Sequence, residues 1–206
     1  MHRRSQREWS AGATLLIALA LTGSLSGCGY NTIQSLDVNA DKAKSNVGVQ
    51  LQRRADLIPN LVSTVKGYAQ HEEAVFTQVA AARSGLIGAV QSGNIQQMAN
   101  ANDALSQGLG RLLAVSEAYP QLKADQGFLH LQDELTGTEN RIAIARKDYN
   151  DAAQEYNTYI RRFPQTVTAR MTGAKAKDFF VVTNPAANVA PTVDFSKPPA
   201  PAAPKP

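Results

Sequence analysis

The chain has 206 residues, a formal net charge of +4 and a hydrophobic content of 43%, all ordinary for one globular domain. Its single cysteine excludes an internal disulfide bond. Residues 1–27 carry three of the 21 basic residues and one of the 17 acidic residues, so their removal leaves a net charge of +2. That balance gives no indication of a nucleic-acid partner.

Residues 1–27 have the layout of a secretory signal peptide. Three arginines within the first seven residues precede an apolar run centred on residues 15–21, and small residues close the segment. A membrane-spanning helix needs roughly 18 to 20 apolar residues, and this run, interrupted by Gly and Thr, is shorter. The sequence therefore predicts a segment that is cleaved rather than retained.

Leu25, Ser26, Gly27 and Cys28 resemble the lipobox of bacterial lipoproteins. The resemblance implies that Cys28 is acylated, for example with palmitate, and becomes the first residue of a mature chain anchored by lipid. Residues 28–32 would then form a lipidated anchor and linker on the extracytoplasmic, periplasmic face. Gly29 favours the outer membrane, because inner-membrane retention uses an aspartate at that position. The alternative is an uncleaved anchor with a buried or free Cys28.

Residues 33–182 are predicted to form one helical domain, because apolar residues recur at spacings of three and four and no alternating strand pattern competes. A first stripe leads into a longer one that ends at residues 91–94, and a third ends at Tyr119-Pro120. The members are Ile33, Leu36, Ala40, Ala43, Val47, Leu51, Ala55, Ile58, Val62, Val65, Ala69, Phe76, Val79, Leu86, Val90, Ile95, Met98, Leu105, Leu109 and Leu112.

The last long segment carries the clearest pattern, a heptad seam typical of a coiled coil that implies a helix on the order of 50 Å long. With short turns between long helices, the sequence predicts an all-α fold: an antiparallel up-and-down bundle of three to four long helices. The seam residues are Phe128, Leu131, Leu135, Thr138, Ile142, Ala145, Tyr149, Ala152, Tyr156, Tyr159 and Phe163.

One stretch, residues 51–72, concentrates Arg53, Arg54, Asp56, Pro59 and Asn60 inside an apolar stripe. A proline in a helix interior costs about 3 kcal/mol, so the first long helix is predicted to be kinked or broken near Pro59. In the broken alternative Asp56 is the N-cap of a new helix. Arg53 and Arg54 then close the preceding turn, and we interpret them as structural rather than as a catalytic cation pair. Acids of the last helix could pair with them: Asp133, Glu134, Glu139, Asp148, Asp151 and Glu155.

The C-terminal residues 183–206 are rich in proline and alanine, and from Asn184 onward they hold seven of the ten prolines. Such a composition lacks the bulk and periodicity of a core, so a disordered, partly polyproline tail is predicted. The tail could act as a spacer or as a ligand, or it could simply be solvated.

Three blocks of sequence resemble the LemA family: LQRRADLIPNLVSTVKGYAQHE, LLAVSEAYPQLKADQGFLHLQDELTGTENRIAIARKDYNDAAQEYNTYIRRFP and GAKAKDFF. The resemblance extends from about Tyr30 to Phe180. It implies a membrane-anchored bacterial helical-bundle protein without an established biochemical activity. Relatives often begin with a transmembrane helix, whereas this chain has the lipobox; they also commonly have Trp at the position of Lys44 and a polar residue at that of Gly48.

The residues themselves provide no recognisable catalytic or metal motif. Tyr68 and Gly127 stand three positions before His71 and His130, so the Glu-x-x-His pairs of bundle metal sites are missing. We therefore predict no catalytic residues, no metal and no cofactor. Glu72, Arg83 and Asn102 fall on the apolar stripes, where they could fix helix register or line a ligand pocket.

Two function classes remain. The first is a non-catalytic lipoprotein of the cell envelope, an interaction or scaffolding module that binds an unidentified envelope protein and possibly a second copy of itself, with no nucleic acid. The second is an enzyme or small-ligand binder that uses polar groups between the helices.

Overall fold

The computed structural model describes the backbone of residues 3–181 and the side chains of residues 29–181. Over that part every regular element is a helix, which confirms the predicted all-α fold. The helices are α1 (Arg3–Lys66), α2 (Glu73–Ser92), α3 (Ile95–Ala118), α4 (Pro120–Lys123), α5 (Gln126–Arg161) and α6 (Gln165–Thr172). Residues 28–32, assigned above to an anchor and linker, have helical backbone within α1.

Neighbouring long helices run in opposite directions where they touch. The helix α1 packs against α5 and α2, and α2 packs against α3. Between α1 and α5, for example, Arg54 meets Glu139 whereas the later Tyr68 meets the earlier Asp125. The same reversal relates α2 to α3, which form a hairpin closed by Gly93 in a left-handed conformation.

Most of the core belongs to one apolar cluster contributed by all four long helices. Each large aliphatic or aromatic side chain buried there contributes about 1.5 to 3 kcal/mol. A smaller cluster joins the early part of α1 to the end of α5 and to α6. The main cluster includes Leu51, Ile58, Leu61, Leu86, Leu105, Leu112, Phe128, Ile142 and Tyr149, and the smaller one consists of Ile33, Tyr156, Ile160 and Ala169.

The stripe predicted from residue 51 to residue 90 is not one helix. The helix α1 ends at Lys66, and its last turn closes when the Gly67 N–H donates to the carbonyls of Ser63 and Thr64. The chain turns over residues 67–72 before α2 begins. Ala69 is buried inside that turn, so the apolar spacing continues across a break in the helix, which is why the pattern concealed it.

The predicted break at Pro59 is also wrong, because α1 continues through Pro59 to Lys66. Asp56 is therefore not an N-cap; its carboxylate accepts a hydrogen bond from Gln52 Nε2 at 2.8 Å. A kink at Pro59 stays a prediction. Side-chain N-caps are found instead at Asn94, which accepts from the Gln97 N–H, and at Asp125, which accepts from the Phe128 N–H.

The buried face of α5 drifts away from the predicted seam toward its C-terminal end. Ala153 and Ile160 are buried where Ala152 and Tyr159 were expected, and Phe163 is 83% exposed beyond the last helical residue. A straight α-helix drifts by about 20° per heptad relative to a strict seven-residue repeat. The second half of α5 follows the straight helix and not the coiled-coil seam. A similar one-residue shift in α1 buries Leu61 in place of Val62.

Candidate functional site

The polar centre of the molecule is Arg54, whose residue surface is only 6% exposed. Its Nη1 atom donates to Asn102 Oδ1 of α3 at 2.6 Å and lies 2.6 Å from Glu139 Oε2 of α5. One guanidinium nitrogen thus ties three helices together. Its Nε atom is buried and has no hydrogen-bond partner among the described residues. Of the acids proposed as partners, Glu139 is the one that pairs with Arg54.

The electrostatic balance at this cluster is unequal. Burial lowers the pKa of the Arg54 guanidinium, and the charges of Glu139 and Asp103 oppose that shift. Glu139 has a side chain that is 51% exposed, so water screens the acidic member of the pair while the cation is desolvated. Arg54 is therefore a buried cation held by a half-solvated carboxylate and an amide, a geometry that positions helices and presents no free nucleophile or base.

Pro59 is tolerated inside α1 because a second arginine satisfies the carbonyl that it leaves without a partner. A proline has no N–H, so the carbonyl four residues earlier loses its intrahelical hydrogen bond. That carbonyl belongs to Ala55, and it accepts a hydrogen bond from Arg83 Nε of α2 at 2.8 Å. Arg83 thus caps the gap in α1 and fixes the register of α2 against it. The unusual composition of residues 51–60 is in this respect architectural.

Two grooves flank the cluster. One, of about 590 Å³, lies between α3 and α5, with Arg54 at its floor and Leu109, Leu113 and Leu135 among its apolar lining. The other, of about 950 Å³, lies between α1 and α5 and carries the exposed Arg53 beside Leu57 and Leu129. In the described part of the chain, α3 and α5 do not pack closely on each other, so the first groove is a gap in the helical layer.

After α6 the chain crosses back over α5 as an extended strap, residues 174–181. Two asparagines of α5 hold it through their amide groups. Asn157 donates to the Lys177 carbonyl and accepts from the Lys177 N–H, both at 2.8 Å. Asn150 pairs in the same way with the Phe180 carbonyl at 3.1 Å and the Phe180 N–H at 2.8 Å. Each asparagine thus replaces one residue of a neighbouring β-strand.

The spacing of these contacts has a simple geometric reason. Seven residues of an α-helix and three residues of extended chain both span about 10 Å. Asn150 and Asn157 therefore match Phe180 and Lys177 without strain. Between them the Tyr149 hydroxyl donates to the Asp178 carbonyl at 2.6 Å, and burial raises the pKa of that phenol.

Side chains of the strap fasten it further. Phe180 is buried against the core, with the Arg146 guanidinium 5.8 Å from its ring centre. Lys177 Nζ lies 2.9 Å from a carboxylate oxygen of Asp37 and 2.8 Å from one of Asp41, both on α1. The strap consequently bridges α5 to α1. It contains the block GAKAKDFF, whose role the spacing analysis did not derive; the paired asparagines seven residues apart were the signal that could have revealed it.

The structure brings only part of the predicted site residues together. Arg54 is the centre of a cluster, and Pro59 acts through Arg83, whereas Arg53, Asp56 and Asn60 lie exposed on α1 without joining either. The side chains of the lipobox residues Leu25, Ser26, Gly27 and Cys28 lie outside the described residues. Of the three stripe residues, Arg83 and Asn102 both have helix-to-helix partners.

Two further observations concern possible sites. Within residues 29–181, no three His, Cys, Asp or Glu side chains are grouped as they would be around a metal ion. None of the helices in the described part of the chain is both long and apolar enough to span a membrane.

These features define a class: an all-helical protein whose long helices are joined by buried polar bridges and closed by a C-terminal strap. The comparison with known families is specific, since the model of the LemA family matches residues 43–195. The chain belongs to the LemA family.

Similar proteins of the family are found in magnetic bacteria. The chain is 31% identical to Magnetosome protein MamQ 1 and to MamQ 2 of Paramagnetospirillum magneticum, over 73% of this chain and 64% of theirs. It is 29% identical to Magnetosome protein MamQ of Magnetospirillum gryphiswaldense, with the same coverage. The chain thus spans less than two thirds of the length of these relatives.

Proposed function

We propose that this protein is a lipid-anchored, extracytoplasmic member of the LemA family that acts as a non-catalytic interaction or scaffolding module of the cell envelope. The proposed module is an antiparallel up-and-down bundle of α1, α2, α3 and α5. Membrane attachment is through acylated Cys28, and the partner is an envelope protein or a second copy of the chain. The relatives are named for a cell structure, the magnetosome, and not for a reaction, which favours an assembly role.

The observation that carries this proposal is the use made of the buried polar residues. Arg54, Asn102 and Arg83 are the polar groups between helices that a ligand pocket or an active site would need. Each is engaged with another helix at 2.6 to 2.8 Å. Groups that already bind one another stabilise an architecture. The faces available for recognition are then the outer surfaces of the bundle.

The anchor is tested by intact mass spectrometry of the protein isolated from membranes. We expect a chain that begins at Cys28 and carries the mass of its acyl groups, and we expect Cys28→Ala to abolish both processing and acylation. A wild-type chain with residues 1–27 still attached to an unmodified Cys28 would contradict the lipid anchor.

The interaction role is tested by crosslinking in intact cells followed by isolation of the lipidated protein. If Arg54 is architectural, Arg53→Gln/Arg54→Gln should lose partners only in proportion to its loss of folded protein, measured by circular dichroism. Arg53→Gln alone is the matched control. A double variant with native helicity and melting temperature that has lost every partner would make this stretch a binding surface.

The second candidate function, a small-ligand binder or an enzyme, is favoured by one observation: the groove between α3 and α5 has the buried Arg54 at its floor. Anionic metabolites would be its chemistry, since a guanidinium binds carboxylate and phosphate groups. A thermal-shift screen of such anions separates the two functions. Specific stabilisation that is lost when the groove is filled by Gly110→Leu would favour the binder.

A further inference from the structure

The family match continues beyond the strap. It ends at Phe195, whereas the described chain ends at Val181. Residues 182–195 therefore belong to the part of the chain that resembles other members of the family. Their composition differs from that of residues 196–206, since they include Val182, Val189, Val193 and Phe195.

The strap also has a direction. It runs antiparallel to α5, with Lys177 at Asn157 and Phe180 at Asn150. At its end the Val181 carbonyl accepts a hydrogen bond from Gln96 Nε2, at the start of α3, at 3.4 Å. Val181 therefore lies where α3 and α5 come together, and both helices continue from there along the gap between them.

The register of the strap can be extended along that gap. At about seven helical residues for every three extended ones, residue 183 would lie near position 143 of α5 and residue 186 near position 136. Thr136 lines the groove between α3 and α5. The straight continuation of the strap therefore leads into this groove.

The groove and the segment have matching chemistry. The groove has apolar walls, and a side chain added at Gly110 would meet no atom of the described residues within 4 Å. At its floor Arg54 Nε has no acceptor among the described residues. Residues 185–188 read PAAN: small side chains suit a narrow gap, and an extended chain has carbonyl groups available to accept from a buried donor.

We propose that residues 182–195 continue the strap and occupy the groove between α3 and α5 of the same molecule. This intramolecular segment closes the gap in the helical layer above Arg54. The proline-rich tail available to the surroundings then begins at Ser196, later than the composition of residues 183–206 suggests. It also covers the surface that a ligand would need, so an external peptide or anion must displace it.

Hydrogen exchange on the full mature protein, read by mass spectrometry, tests the proposal. We expect amides of residues 182–195 to exchange about tenfold more slowly, or slower still, than those of residues 196–206, because docking protects them. Gly110→Leu fills the groove and should remove that protection while helicity is retained. The matched control is Gly137→Leu, which also has open space at its Cβ but faces the groove between α1 and α5.

Truncation provides a second measurement that does not depend on a groove variant. Removal of residues 196–206 should leave the melting temperature unchanged, whereas removal of residues 182–206 should lower it. Three results would overturn the proposal: equal exchange rates in the two segments of the native chain, release by Gly137→Leu and not by Gly110→Leu, or protection that disappears on dilution. The last result would place the segment on a second copy of the chain.

Discussion

Two cations connect helices in this molecule, and they do so under opposite conditions. Arg54 lies in the core, where burial lowers its pKa and two partners only partly compensate. Lys177 lies on the strap, where burial also lowers its pKa but the hydrogen bonds and charges of Asp41 and Asp37 outweigh that effect and leave the pKa raised. The core cation is maintained by the fold around it. The strap cation is stabilised by its own ion pairs.

This difference predicts two kinds of stability. Loss of Arg54 disturbs three helices at once and should act on global unfolding. Loss of a strap contact should release residues 174–181 locally, because the strap lies on the outside of α5 and α1. The predictions below compare the two regions in order of decreasing effect.

The largest effect is expected from Arg54→Ala, at about 2 to 4 kcal/mol of global stability. The substitution leaves a cavity and removes the donor to the buried Asn102 amide, while the half-exposed Glu139 regains water. The neighbouring Arg53 is exposed, and Arg53→Ala should cost less than about 0.5 kcal/mol. Urea unfolding of the mature chain measures both. Equal losses for the two arginines would show that Arg54 has no special structural position.

The strap should respond next, and locally. Asn157→Asp keeps an acceptor for the Lys177 N–H but cannot donate to the Lys177 carbonyl, which should weaken strap closure by about 1 to 2 kcal/mol. Gln154→Glu introduces the same charge on an exposed position of α5 and is the control. Hydrogen exchange of residues 174–181 provides the readout, together with cleavage by chymotrypsin at Phe179 and Phe180. A loss of global stability as large as that of Arg54→Ala would contradict the local nature of the strap.

Alkaline pH should separate the regions without any substitution. The pKa of Lys177 is raised in the folded state, and burial raises the pKa values of Tyr149 and Tyr156. The folded strap therefore retains these protons more strongly than the unfolded chain does. Its stability is complete below their ordinary values, about 10, and falls as the pH rises through the raised values.

Hydrogen bonding within the Arg54 cluster should persist over the same range, because an arginine keeps its proton. Tyrosinate absorbance and strap exchange, followed together from neutral to alkaline pH, measure this difference. Lys177→Met should remove the lysine part of the pH dependence, whereas Lys147→Met, at an exposed ion pair, should not. Release of the strap on the acidic side alone would contradict the assignment.

Sequence periodicity predicted the helical fold and most of the core because the apolar spacing is set locally along each helix. Ile142 and Leu105 are buried as expected. It failed where geometry depends on distant residues. The α1–α2 turn is concealed by the buried Ala69, and the drift of α5 that exposes Phe163 depends on how closely its partner follows it.

The candidate site was predicted in part for the same reason. The stretch containing Arg54 and Pro59 is conspicuous in sequence, and an acid of α5 was expected as a partner. The contact between Arg83 and Ala55 could not be predicted, because it joins positions 28 residues apart whose relative register only the folded molecule defines. The strap was missed because its side chains have no period and its backbone bonds go to asparagine amides.

The smallest predicted effect is a coupling between Pro59 and Arg83. In the native chain Arg83 Nε supplies the hydrogen bond that Pro59 cannot give to the Ala55 carbonyl, so Arg83→Ala leaves that carbonyl unpaired. With Pro59→Ala the backbone N–H returns, and Arg83→Ala should then cost less. A double-mutant cycle on urea unfolding should give a coupling of about 0.5 to 1 kcal/mol, the usual net value of one hydrogen bond. Gln78, whose side chain also joins α2 to a neighbouring helix through Arg111, is the control position, and Gln78→Ala should show no coupling to Pro59. Strict additivity of Pro59→Ala and Arg83→Ala would mean that the proline is accommodated by some other means, and that Arg83 contributes to helix packing alone.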